Sequence, residues 1–172
     1  ESMMKVSIVG KGFGWEDAPY EGEVWGLTQL NLRRPVTRVI DMNDYSLWGE
    51  EEERTAEESK QLALIQGVPY VDLESYPIDD IMARFDTDYF SSTVDYAIAL
   101  AIYEGYQEIH LYGCSMILGT EYSFQKAGVD FWCGMAKGMD RKVVVHGGSA
   151  TAMRTPDQLM YGYGRPQKER IQ

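Results

Sequence analysis

The sequence predicts an α/β fold with a mostly parallel sheet of about five or six strands and helices on both faces. Three observations carry that expectation. Short β-branched runs alternate with segments of helical period along most of the chain. Two of the clearest runs stop at a glycine, Lys5–Val9 at Gly10 and Glu108–Tyr112 at Gly113. The connections between successive strands and helices are short, and such an alternation argues for a parallel sheet with helices on its faces.

Lys5 to Val9 (Lys-Val-Ser-Ile-Val) reads as a first, buried strand. Glu23 to Leu27 and Thr37 to Met42 are the next two strand candidates, separated by a polar stretch with room for a short helix. The run Glu50 to Glu53 reads as a solvated loop or a helix start. Thr55 to Gln66 is rich in helix formers, offers Ala56, Leu62, Ala63 and Ile65 for a buried stripe, and stops at Gly67. Val68 to Leu73 is a short strand, and Pro69 places it at an edge or at the strand's start.

The second half is more regular. Ser91, Ser92 and Thr93 supply N-cap hydroxyls for a helix Val94 to Tyr106, which carries Val94, Ala97, Ile98, Ala101 and Ile102 on one stripe. The strand Glu108 to Tyr112 follows. A helix Tyr122 to Met139 then places Phe124, Val129, Phe131, Trp132, Met135 and Ala136 on or near its buried side. Lys142 to Val145 is the last strand, closed by Gly147-Gly148. The pattern is that of a Rossmann-like domain spanning 4–172. Residues 155–172 form an aromatic tail, suited to pack on a second copy of the chain. Glu1-Ser2-Met3, ahead of Met4, reads as a remnant of expression.

At 172 residues, 44% hydrophobic and 25% charged, the chain can bury a core without disulfides or a structural metal. A net charge of -11 argues against duplex nucleic acid and anionic membrane as partners. No apolar run approaches the roughly 20 residues of a membrane span. Two cysteines and no secretory leader point to a cytoplasmic protein with reduced thiols.

Ligands of open parallel sheets bind outside the carboxyl ends of the strands, which selects four segments. Gly10-Lys11-Gly12-Phe13-Gly14 has the glycine density of a phosphate-binding nest, or of a tight turn. Asp41-Met42-Asn43-Asp44 could hold sugar hydroxyls, a base edge or a Mg2+ ion carried by a nucleotide; equally, Asp44 could cap a turn. Gly113-Cys114-Ser115 follows the fourth of the long strands, and Glu121, Tyr122 and Gln125 stand at the next helix start. Cys114 has no histidine beside it in sequence, and reads as a small buried residue or a ligand contact. His146, at the end of the last strand, is an acid/base candidate, with Glu121 as the second. Ser91, Ser92 and Thr28 complete the candidate set. There is no Walker A sequence, no Cys/His cluster at metal spacing and no Gly-x-Ser-x-Gly elbow.

Residues 5–14 and 23–28, and above all 91–115 (Ser-Ser-Thr-Val-Asp-Tyr-Ala … Gly-Tyr-Gln-Glu-Ile-His-Leu-Tyr-Gly-Cys-Ser), resemble a Rossmann-like superfamily. It includes family 42 sialyltransferases, hydroxymethylpterin diphosphokinase-like proteins and small phage-borne proteins of unknown function. The resemblance implies a nucleotide or nucleotide-sugar in the cleft, and the host cytoplasm as location if the chain is phage-borne. Phe13-Gly14 stands where the group has Pro-Ser, Thr28 where it has asparagine, and Ser115 where it has aspartate. The sialyltransferases' catalytic histidine lies in an inserted lid without a counterpart here, so sialyl transfer itself is not expected. Three functions stay open: a small transferase or hydrolase acting on a nucleotide, a non-catalytic nucleotide binder, and a host-protein binder.

Overall fold

A computed structural model describes residues 4–116, 122–148 and 150–167. Six parallel strands form one sheet: β1 (Lys5–Val9), β2 (Glu23–Leu27), β3 (Arg38–Ile40), β4 (Tyr70–Val71), β5 (Glu108–Tyr112) and β6 (Lys142–Val145). Their order is β4-β3-β2-β1-β5-β6. The chain therefore builds outward from β1 to one edge, then returns to lay β5 against the other side of β1. That reversal is the topological switch point, where α/β sheets open a crevice at their carboxyl edge.

Alternation along the strands divides the core in two. Val6, Ile8, Trp25, Leu27, Ile40, Ile109, Leu111, Val143 and Val145 face α2 (Ile78–Phe85), α3 (Thr93–Tyr103) and α4 (Tyr122–Gly138). Val9, Val24, Val39 and Tyr112 face the other way, toward Leu30 and toward Ala63 of α1 (Glu50–Gln66). Helices thus cover both faces. Among the described residues no helix is long and apolar enough to cross a membrane.

Several details depart from the expected ones. β3 and β4 are shorter than 37–42 and 68–73, because only the residues in register with a neighbour join the ladder. β4 does lie at the sheet's edge. The glutamates 50–53 form the first turn of α1, where carboxylates favour the helix dipole. Ile65 is 81% exposed instead of buried, and Ala56, Ser59 and Ala63 form the packed face. Small side chains let α1 approach Asn31, whose Nδ2 donates to the Ser59 carbonyl at 2.9 Å while Ser59 Oγ donates back to its Oδ1 at 2.6 Å. Phe124 and Phe131 of α4 are exposed at 59% and 38%, whereas Val129, Trp132 and Ala136 are fully buried. α2 has no counterpart in the sequence reading.

Candidate functional site

The loop after β1 is shaped by its closeness to β5. The Gly10 and Gly12 amides donate to the carbonyls of Tyr112 and Gly113, each at 2.8 Å. A Cβ on Gly12 would stand 2.5 Å from Ser115 Oγ and 2.6 Å from the Gly113 carbonyl oxygen. Gly113 itself has a φ of 65°. The glycines therefore let two strand ends meet at the switch point, and two of the loop's amides are already engaged there. No α-helix follows the loop; the turn Trp15–Asp17 is a single 3-10 turn.

Positive charge at this loop comes from side chains. Lys11 Nζ donates to Gln29 Oε1 at 3.3 Å, and Arg33 donates to the Lys11 carbonyl at 3.3 Å. Partial burial, and then Arg33, lower the Lys11 ammonium from its ordinary value, with Asp41 opposing. The Arg33 and Arg34 guanidinium groups stand 5.2 and 5.9 Å from the Trp15 ring centre. A groove of about 290 Å3 runs along residues 11–17, and Phe13 stands 95% exposed on its wall.

Past β2 and β3 the edge carries a continuous polar network. Asp41, 2% exposed, accepts from the Asn43 side-chain amide at 2.8 Å and from Tyr45 Oη at 2.7 Å. Tyr70 Oη adds a longer bond of 3.4 Å to the same carboxylate. Gln29 Nε2 donates to Tyr45 Oη at 3.2 Å, joining Asp41 to Lys11 through Gln29. Asn43 Nδ2 reaches Thr28 Oγ1 at 3.5 Å. Thr28 holds a left-handed φ of 56°. For a β-branched residue that conformation costs about 1–2 kcal/mol, and such strain concentrates at functional sites. Burial chiefly, with Asp41 assisting, raises the phenols of Tyr45 and Tyr70 far above the ordinary range.

Beside this network lies a second groove of about 240 Å3, toward α1 and β4. Glu53, Glu57, Asp72 and Glu74 line it, with Lys60 as its cation. Among the described residues no three His, Cys, Asp or Glu side chains converge as a metal site.

Ser91 and Ser92 are drawn to the same edge because Thr93 Oγ1 accepts from the Met42 amide at 3.4 Å. Ser92 occupies the N-cap of α3, yet its hydroxyl makes no cap bond and donates to Asp95 Oδ1 at 3.2 Å. Ser91 donates to Asp95 Oδ2 from its amide at 2.7 Å and from its hydroxyl at 2.9 Å, and reaches the Gln125 carbonyl at 3.3 Å. Asp95 is fully buried, and that burial pushes its carboxyl up to about 6. Cys114 is buried, with its thiol pushed up to about 12 by desolvation, so it packs as an inert group. Ser115 stands over Gly12. Glu121 lies outside the described residues, and Tyr122 begins the α4 backbone.

His146 closes the other end of the edge. Its ring stacks on Tyr112 with centroids 4.0 Å apart. Its Nε2 lies 3.0 Å from His110 Nδ1. Gln29, Tyr45, Tyr70, Arg33 and His110 were absent from the sequence-derived set. Gln29 could have been found as the second residue past a strand end; the others are assembled by strand register and leave no local signal.

No protein-family model and no curated protein sequence matches the chain. Among solved structures it is similar to a probable thiamine pyrophosphokinase from Staphylococcus saprophyticus, at 12% identity over 83% of this chain and a TM-score of 0.46. The chain spans 65% of that protein's length. It is also similar to the sialyltransferase CstII from Campylobacter jejuni in complex with CMP-3FNeuAc, at 16% identity, 83% coverage of this chain and 80% of that one, and a TM-score of 0.41. The complex of CstII with cytidine-5'-monophosphate matches at 19% identity, 83% and 79% coverage, and a TM-score of 0.40.

Proposed function

We propose that the carboxyl edge over β1, β2 and β3 binds a nucleotide or nucleotide-sugar. The observation that carries this reading is the Lys11–Gln29–Tyr45–Asp41–Asn43–Thr28 network, which runs from the glycine loop at the switch point along the carboxyl ends of β2 and β3 and ends in a strained threonine. Charge orients the ligand. In a chain of net charge -11, Lys11, Arg33 and Arg34 collect at the glycine loop, and phosphate belongs there. The carboxylate-lined groove toward α1 repels phosphate and suits the hydroxyls of the sugar. The exposed Phe13 ring offers a face on which a base can stack.

A panel of nucleotides and nucleotide-sugars, with and without Mg2+, tests this by thermal shift. A ligand at a hundred times its dissociation constant adds about 2.7 kcal/mol to the folded state. A selective stabilisation that Lys11→Ala weakens supports the site; a flat panel removes it.

The second reading is a binder without catalysis, and one observation favours it. Asp41 has both oxygens engaged by Asn43, Tyr45 and Tyr70, so it is not poised as a base. Mass spectrometry of the incubated ligand separates the two readings, since turnover changes its mass and binding does not.

A further inference from the structure

On the opposite side of β1 from the polar network, three titratable side chains form a line along β5 and β6. Glu108 Oε2 lies 2.6 Å from His110 Nε2, and His110 Nδ1 lies 3.0 Å from His146 Nε2. Both rings of the chain's two histidines are thus joined to each other, with a carboxylate at one end. The placement follows from strand geometry. Glu108, His110 and Tyr112 alternate onto one face of β5, and His146 follows directly on β6, its amide donating to the Leu111 carbonyl at 3.0 Å.

This arrangement fixes the protons. His110, Lys142 and Lys5 hold the Glu108 carboxyl below its ordinary range, the His110 hydrogen bond contributing most. An ionised carboxylate only accepts, so His110 Nε2 carries hydrogen. In the neutral ring, Nδ1 is then the acceptor, and His146 Nε2–H donates to it.

We propose that Glu108, His110 and His146 form a proton relay in which His146 exchanges the proton at the carboxyl edge, with Glu108 and His110 as its positioning residues. An O–H bond of a ligand hydroxyl, a phosphate or a solvent hydronium breaks, its electron pair stays on that oxygen, and the proton forms a new N–H bond on His146 Nδ1. The Nε2–H bond of His146 breaks as that proton passes to His110 Nδ1. His110 becomes an imidazolium whose charge faces the Glu108 carboxylate, and His146 returns to a neutral ring. Proton count and charge balance, and no metal or oxidant is needed. Among the described residues, groups that face this line include Lys5 and Ser7 on β1, Tyr112 on β5 and Lys142 on β6, with Asp17 acting on Tyr112 from the loop after β1. His110 is 8% exposed, so solvent does not short-circuit its hydrogen bonds. The relay resembles the carboxylate-backed histidines of acid/base sites, and its chemical target is a hydroxyl or phosphate group. That use rests on the ligand site proposed above; the relay's existence does not.

The test is histidine-detected NMR on the full chain without ligand, where only two imidazoles contribute signals. In the wild type we expect His110 as the Nε2–H tautomer and two interlocked titrations, the signature of a coupled pair. Glu108→Gln, nearly isosteric, should move the pair's midpoint to lower pH by about one unit, a tenfold loss of proton affinity. His110→Gln should leave a single His146 titration with a changed midpoint. Independent curves in the wild type, or midpoints indifferent to Glu108→Gln, overturn the relay. The wild-type tautomer pattern decides even if His110→Gln fails to fold. Interlocked titrations with a flat nucleotide panel keep the relay and lose the ligand site, and the converse result does the reverse.

Discussion

At the scale of single residues, Asp95 makes the sharpest prediction. Its folded value, about 6, lies above the 3.8 of a free carboxyl because burial penalises the charge more than Ser91 and Ser92 relieve it. A carboxyl raised on folding binds protons more tightly in the native state. Its contribution is therefore fully present below about pH 4 and is lost as pH rises toward 6, with a magnitude of about 3 kcal/mol. Asp95→Asn keeps an acceptor for Ser91 and should cancel that slope. Denaturant midpoints of both proteins between pH 4 and 7 measure it, and parallel curves would refute it. Gly12→Ala forces a Cβ against Ser115 and the Gly113 carbonyl, so we expect a loss of about 1–3 kcal/mol in the same assay. Arg154 is 6% exposed and its Nε has no hydrogen-bond partner among the described residues. Arg154→Met should leave stability unchanged or raise it by about 1 kcal/mol, because an unsatisfied buried donor is removed. A drop of that size would contradict this.

At the scale of elements, α1 binds the sheet through small residues instead of a leucine stripe. Ala63→Leu should therefore cost about 1–3 kcal/mol by forcing α1, and with it Ser59, off Asn31, while Ile65→Ala, at a solvent-facing position, should cost little. Thermal melts of the two variants compare the effects directly. The same helix shows where sequence reading succeeds and stops. β1, β2, β5 and β6 were legible to the residue, because buried parallel strands are unbroken β-branched runs closed by glycine or a turn. The face of α1 was misread because a helix that docks by close approach buries Ala and Ser, which periodicity does not count as core. α2 was missed because eight residues give two turns, with Ile81 and Phe85 as its buried pair. At the candidate site, the strand-end segments were legible from topology alone. The partnership of Asp41 with Tyr70, and of His110 with His146, was not. Each is made by residues 29 and 36 apart that meet only when strands align.

At the scale of the molecule, one sheet separates two chemistries about β1. The polar network and the cationic glycine loop lie over β1, β2 and β3, and the histidine line lies over β5 and β6. The absence of an α-helix between β1 and β2 has a consequence for the whole surface. In the proposed site phosphate attraction comes from Lys11, Arg33 and Arg34 and not from a helix N-terminus, so ligand affinity should fall as salt screens those charges. The most direct measurement is an amide chemical-shift map on titration with the nucleotide that most stabilises the fold. Ligand binding at the carboxyl edge should concentrate shifts in Lys11–Gly14, Thr28–Gln29, Asp41–Asn43 and Gly113–Ser115, with Lys11→Ala weakening them together. Shifts confined to the outer face of α1 or to the tail 155–167, with the carboxyl edge silent, would contradict it.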